Sequence, residues 1–271
     1  MYYNIKAVLS PSDRLVGFTN VFEGTKNGFL SLVKGDIEPS WRDKFSFGTL
    51  YGGSIEKDEE GFKKLSFKNG AFWNFSTLDK DIMFRVYEGI ARNDDFAFGM
   101  GIDYVEELTP RFVDGENFIK CHPGIIVNEN MGDGTMRAMS IMGDGDHFLD
   151  VLERNTREKL ASIAPNVDNT VVINSINGEL YKKKTAHINR HVEIFNEGIL
   201  SITAPAETMQ VLSCIGIGEG THIGFGHLTP TSDPTRRASN MRPLRSNEVR
   251  KTSMGYVLPE PAPIESGAYG E

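Results

Sequence analysis

Five glycines fall within eleven residues at Gly216–Gly226 (GIGEGTHIGFG), and no other segment of the chain has so much backbone free of side chains. Bare amides of this kind can cradle phosphate, yet the two common nucleotide loops are excluded. A P-loop needs Gly-Lys-Ser/Thr and then a helix, and neither follows. The dinucleotide fingerprint G-x-G-x-x-G follows a strand and opens a helix. Here the run follows a helical pattern, precedes a strand-like one, and has Thr221 at the third glycine position. Two readings remain. In one, Gly216 caps a helix and the rest is turn. In the other, a large polar partner such as a nucleic-acid backbone must approach closely, which would explain more glycines than the one or two a turn needs. His222, inside the run, and His227, just after it, read as structural residues or as groups able to approach RNA. Cys121 and Cys214 have no metal-type spacing and read as buried free thiols in a reducing cytoplasm.

The net charge of −8 and pI near 5.4 argue against a broadly basic nucleic-acid surface, so any such contact must rest on local charge. Acidic residues gather at Glu56–Glu60, Asp94–Asp95 and Asp144–Asp146. Basic residues gather at Lys182–Lys183–Lys184, at Arg190 and in the tail, where Thr231–Lys251 carries six Lys or Arg against Asp233 and Glu248. No run of apolar residues is long enough to span a membrane. The start, MYYNIKAVLS, lacks the pattern of a secretory leader, and the expected compartment is cytoplasmic.

The elements that must position these residues follow from periodicity. Tyr2–Leu9 reads as a strand and Asn20–Val33 as a helix weakened by Gly24 and Gly28. Lys44–Tyr51 reads as a strand, and Leu65–Phe67 with Ala71–Ser76 as a hairpin about Asn69-Gly70. A Thr77-capped helix runs to Ala91, and Phe96–Leu108 reads as a long strand. The second half gives strands at Phe118–Val127, Ser140–Met142, Thr170–Ile176, Ile188–Ile194 and Ile199–Thr203. It also gives a helix over Asp146–Ile163, a helix from Pro205 to Ser213, and a strand over His222–Leu228. Each half reads strand–helix–strand–strand–helix–strand, which is the ferredoxin-like unit. The expected fold is α+β, with two tandem ferredoxin-like (RRM-like) domains at 1–115 and 116–230. An extended Pro/Ser-rich basic tail follows at 231–271.

The stretch Phe195–Gly226, with its short helix followed by Gly-x-Gly and Gly-Phe-Gly, resembles the C-terminal signature of the CRISPR repeat-processing endoribonucleases of the RAMP superfamily. KFSFGTLY at Lys44–Tyr51, the second helix, HPGIIV at His122–Val127 and the long helix with Asn155 and Lys159 are similar to that family in the same order. The resemblance implies two ferredoxin-like domains and binding of repeat RNA or guide RNA, with other Cas effector subunits as further partners. It implies metal-independent cleavage without a cofactor: the 2′-OH attacks the scissile phosphate, leaving a 2′,3′-cyclic phosphate and a 5′-OH. A non-catalytic RAMP subunit that only holds guide RNA is the alternative.

Family members usually place a general-base His between the first helix and the Lys-x-Phe strand. Here that segment, GDIEPSWRD at Gly35–Asp43, has none. By analogy with His-less members, Lys26, Arg42 and Lys44 become the candidates for holding the scissile phosphate, through orientation and charge rather than as bases. Gly216, Gly218, Gly220, Gly224 and Gly226, together with Lys182, Lys183, Lys184 and Arg190, become the RNA-binding candidates. The tail is longer than the family usually carries, and is expected to be either solvated chain or an RNA clamp or docking arm.

Overall fold

The computed structural model describes residues 1–35, 37–175, 181–188, 191–232, 250–251 and 257–258. The first half runs β1 (Tyr3–Leu9), β2 (Ser12–Val16), α1 (Asn20–Val33), β3 (Phe45–Phe47), β4 (Ser54–Lys57), β5 (Lys63–Phe67), β6 (Ala71–Thr77), α2 (Lys80–Ile90) and β7 (Ile102–Glu107). Its main sheet has the order β3-β6-β1-β7, antiparallel throughout, with α1 and α2 as the crossovers. This is the ferredoxin-like arrangement. Strands β2, β5 and β4 make a separate three-stranded sheet.

The second half runs β8 (Gly115–His122), β9 (Asn128–Asn130), β10 (Met136–Ala138), α3 (Ile141–Asp144), α4 (Asp146–Ile163), β11 (Val172–Ser175), β12 (Lys182–Ile188), β13 (His191–Glu197), β14 (Ile199–Ala204), α5 (Ala206–Ile215) and β15 (His227–Pro230). Its sheet order, β11-β14-β8-β15, repeats the first with α4 and α5 as crossovers. Two hairpins, β9–β10 and β12–β13, are insertions on this plan. Residues Met1–Ser232 form one compact unit. In the remaining unit the described residues are an antiparallel pair, β16 (Arg250–Lys251) and β17 (Val257–Leu258). Nearly all of the expected tail therefore lies outside the described residues.

The local chemistry explains these elements. In β1 the alternation turns Ile5, Ala7 and Leu9 into the core. Helix α1 buries Val21, Thr25, Phe29, Leu32 and Val33. Gly24 and Gly28 are tolerated there because Phe98 and Phe96 from the chain before β7 lie where a Cβ would stand. Phe29 packs 4.9–6.3 Å (centroid to centroid) from Phe45, Phe47, Trp73 and Phe75. The second core gathers Ile119, Phe148, Leu152, Leu160, Leu200, Ile202 and Leu212. A smaller third cluster joins the halves: Phe22 of α1 lies 5.2 Å from Phe225 and 5.6 Å from Phe195, beside Ile126 and Ile188.

Several local expectations are corrected. The turn at Asn69-Gly70 is present, but β5 and β6 on either side of it belong to different sheets, so no hairpin forms. The cap of α2 is Asp79, whose carboxylate accepts from the amides of Asp81 and Ile82, while Thr77 donates to the Lys44 carbonyl. Ser140–Met142 leads into the short helix α3 rather than a strand. The long strands expected at Lys44–Tyr51, Phe96–Leu108 and His222–Leu228 shorten to β3, β7 and β15. In each case a turn or bridge fixed by distant contacts takes the missing residues.

The Phe29 cluster carries a measurable consequence. Phe29→Ala leaves a cavity among four aromatic rings and is expected to cost about 3–5 kcal/mol in urea unfolding. A loss below about 1 kcal/mol would show that the surrounding rings can collapse into the space.

Candidate functional site

Helix α5 ends at Ile215, and Gly216 takes the C-cap position with φ 69° and ψ 175°, a conformation that favours glycine. All five glycines of the run have positive φ. A Cβ on Gly226 would collide with the Ile217 carbonyl, and one on Gly218 would stand 2.5 Å from the Ile126 carbonyl. The amides of Ile217, Glu219 and Gly226 donate to Gly226, Ile126 and Gly124 carbonyls at 2.8–3.0 Å. The glycines are thus already required by the chain's own backbone. Gly216, Gly224 and Gly226 are buried, while Gly218 and Gly220 stay partly exposed. Sequence reasoning reached the cap at Gly216 but had no way to see the carbonyls that fill the other positions.

Between Gly220 and Gly224 the loop makes a short 3-10 turn, Thr221–Ile223, which lies against β3. His222 on that turn is half-buried. Burial pushes its imidazole down to about 4, and the positive charges of Arg42, Lys159 and Lys26 push the same way while Asp43 opposes them. The loop therefore shares one electrostatic neighbourhood with Lys26 from α1, the Arg42–Asp43 segment and Lys159 from α4. Lys159 is 11% exposed; its ammonium donates to the Ile215 carbonyl at 2.8 Å and to Thr221 Oγ1 at 3.2 Å, with Asp43 Oδ1 at 4.0 Å. Burial lowers it to about 8, with Asp43 opposing.

Of the residues expected to hold a phosphate, Lys26 and Arg42 are brought together here. Lys44 is not. Its ammonium sits 3.4 Å from Asp79 Oδ2 at the head of α2. Lys182, Lys183 and Lys184 are exposed along β12, which packs near α1, and Lys184 pairs with Glu197. Arg190 lies outside the described residues. Sequence reasoning gave His222 no leading role; the signal available was only its place inside the glycine run. Asp43 was missed altogether.

A second pair of histidines lies where β15 and β8 meet the first half. His227 Nδ1 is hydrogen-bonded to Ser46 Oγ at 3.0 Å, and His122 Nε2 to Thr49 Oγ1 at 3.2 Å. The two histidines are register partners across the sheet. Burial holds His227 at about 3, with His122 adding to the shift, and holds His122 at about 4. Cys121 and Cys214 are free and buried. Among the described residues no helix is long and apolar enough to cross a membrane, and no group of three or more His, Cys, Asp or Glu could hold a metal ion.

Two ferredoxin-like units, with a glycine loop of the second packed on β3 of the first and a cation cluster beside it, define a tandem ferredoxin-like protein. Residues 107–230 match the family described as CRISPR associated protein Cas6, C-terminal. The second half of the chain therefore carries this family's C-terminal domain. Similar solved structures include a Cas6-related protein from Pyrococcus furiosus at 16% identity, covering 86% of this chain and 100% of that one, with a TM-score of 0.70. A RAMP protein described as binding different RNA substrates is 15% identical, with 85% and 100% coverage and a TM-score of 0.70. A CRISPR associated protein Cas6 is 13% identical, with 86% and 100% coverage and a TM-score of 0.68. At these identities the likeness bears on the fold. No curated protein matches the chain.

The buried histidines give the site's framework a pH dependence. Their folded pKa values lie below the ordinary value of about 6.5, so the unfolded chain takes up protons first as pH falls. Their contribution is fully present above that value and is lost between it and about 3–4. Urea midpoints should fall with acidification below pH 6.5, by up to about 1.4 kcal/mol per pH unit for each histidine. His227→Gln should flatten that slope; an unchanged slope would remove His227 as its source.

Proposed function

We propose that this chain binds CRISPR repeat RNA and cleaves it to give guide RNA, at the face where the glycine loop meets α1. The observation that carries the reading is the gathering of Lys26, Arg42 and a half-buried imidazole, His222, beside a loop joining two ferredoxin-like units. Such a set suits attack by a ribose 2′-OH on the adjacent phosphate. The O2′–P bond forms, the P–O5′ bond breaks, the 2′-OH proton passes to an acceptor, and the leaving oxygen takes up a proton. The products are a 2′,3′-cyclic phosphate and a 5′-OH.

At neutral pH the His222 imidazole is unprotonated, so it can accept the 2′-OH proton. Arg42 and Lys26 face the charge that builds on the phosphate. Gly218 and Gly220 expose the part of the loop that can meet RNA backbone. The exposed lysines of β12 extend the basic surface, and repeat recognition then rests on RNA shape and backbone. Lys44 is left out of this set, since its ammonium pairs with Asp79 at the head of α2. The absence of His from Gly35–Asp43 favours one competing reading, a subunit that retains guide RNA without cutting.

Incubation with a labelled repeat RNA in EDTA separates the two. Site-specific cleavage with a cyclic-phosphate end supports the enzyme, tight binding without cleavage supports the holding subunit, and no binding at moderate salt removes both. In the enzyme case Lys26→Ala with Arg42→Ala should slow cleavage about 100-fold or more while affinity stays within a few fold. Lys44→Ala should leave the rate nearly unchanged. A wild-type rate in the double variant would eliminate the site.

A further inference from the structure

Lys159 is a buried charge that the proposed cleavage does not use. An ammonium is costly to remove from water unless its donors are satisfied, and here the partners come from three separate places. One is the Ile215 carbonyl at the C-terminal end of α5, where the helix dipole favours a cation. Another is the Thr221 hydroxyl, one residue before His222. The third is Asp43, next to Arg42 and on the other half of the molecule. An apolar side chain could fill the same space on α4, but it could not bind a helix end, a loop hydroxyl and a carboxylate together.

We propose that Lys159 is a positioning residue: its ammonium ties the glycine loop to the Arg42–Asp43 segment and so fixes His222 against Arg42 and Lys26. Asp43, from the segment after Pro39–Trp41, is the charged group that acts on Lys159, and α5 contributes its terminal carbonyl; His222 on the loop in turn feels Lys159 together with Arg42, Asp43 and Lys26. Of these only Asp43 is an acid, so the ammonium is held mainly by neutral acceptors. Burial brings its titration down to about 8, close to the working range. Above that value the tether becomes a neutral amine and a weaker donor.

The second arm of the test rests on the proposed cleavage; the first does not. In the full chain without RNA, the His222 ring proton is followed by NMR through a pH titration, with His222→Gln assigning the resonance. The wild-type ring should titrate near pH 4, and in Lys159→Met it should move toward about 6.5, because a nearby positive charge and the loop's enclosure are both lost. An unmoved titration in a folded Lys159→Met chain overturns the proposal.

In the second arm, cleavage of repeat RNA by Lys159→Met should lose about 100-fold in kcat with KM within a few fold. Lys159→Arg should restore most of the rate and move the basic limb of the wild-type pH profile from about 8 to higher pH. A basic limb that stays in place in Lys159→Arg overturns the role even if Lys159→Met fails to fold. A wild-type chain that binds repeat RNA without cutting it removes the cleavage reading and leaves the titration arm to decide the tether.

Discussion

The distance at which the glycine loop can lie against β3 sets the rest of the arrangement between the two halves. At Gly216 a Cβ would stand 3.0 Å from the Ser46 side chain and 2.8 Å from the Gly226 carbonyl. With no side chain there, the loop folds flat, Ile217 donates to Gly226, and His227 reaches Ser46. Phe225 is then delivered into the small cluster with Phe22 and Phe195. Phe22 and Lys26 are four residues apart on α1 and share one face of that helix. The ring stack that docks the loop on α1 therefore brings Lys26 beside it.

An acidic chain can still present a basic site because fields are local. The net charge of −8 is an average over the whole sequence, whereas the groups that act on His222 are three cations and one carboxylate. Exposed charges elsewhere are screened within about 10 Å at ordinary salt, and the glycine loop's enclosure makes the near ones count for more. Several of the acidic residues are also engaged by basic partners of their own. Arg137 pairs with Glu129 and Asp144 on the β9–β10 hairpin and α3, and Lys68 pairs with Glu56 on the side sheet.

Helices α1 and α4 were legible to the residue, because an amphipathic stripe is a local property that each sequence repeats every turn or so. The tandem ferredoxin-like plan followed from the order of elements. Pairing partners were less legible. Asn69-Gly70 specifies a turn, but whether its flanking strands pair depends on which sheet each joins, and Phe67 is claimed by β2 while Ala71 is claimed by β1. The glycine run showed the same limit. Its count signalled a close approach, and the approaching groups turned out to be the carbonyls of Ile126, Ile217 and Gly226. Lys26 and Arg42 could be named from the resemblance, yet Asp79's hold on Lys44 and the link from Lys159 to Asp43 join residues 35 and 116 positions apart.

Under the proposed cleavage, the lack of a histidine in Gly35–Asp43 is understood through the charge of its surroundings. That segment contributes Arg42, and a base placed directly beside a guanidinium is held in its neutral form. His222 meets that condition from the opposite half of the molecule, on a loop whose place is set by backbone contacts. Protonating it would add a further positive charge beside Arg42, Lys159 and Lys26, with only Asp43 to offset it, so the neutral ring is the electrostatically consistent state. In the proposed reaction a phosphate brought beside His222 would reverse that balance. Its negative charge would favour the protonated ring, so the same imidazole could take up a proton as the reacting phosphate gains charge and release it once the product leaves.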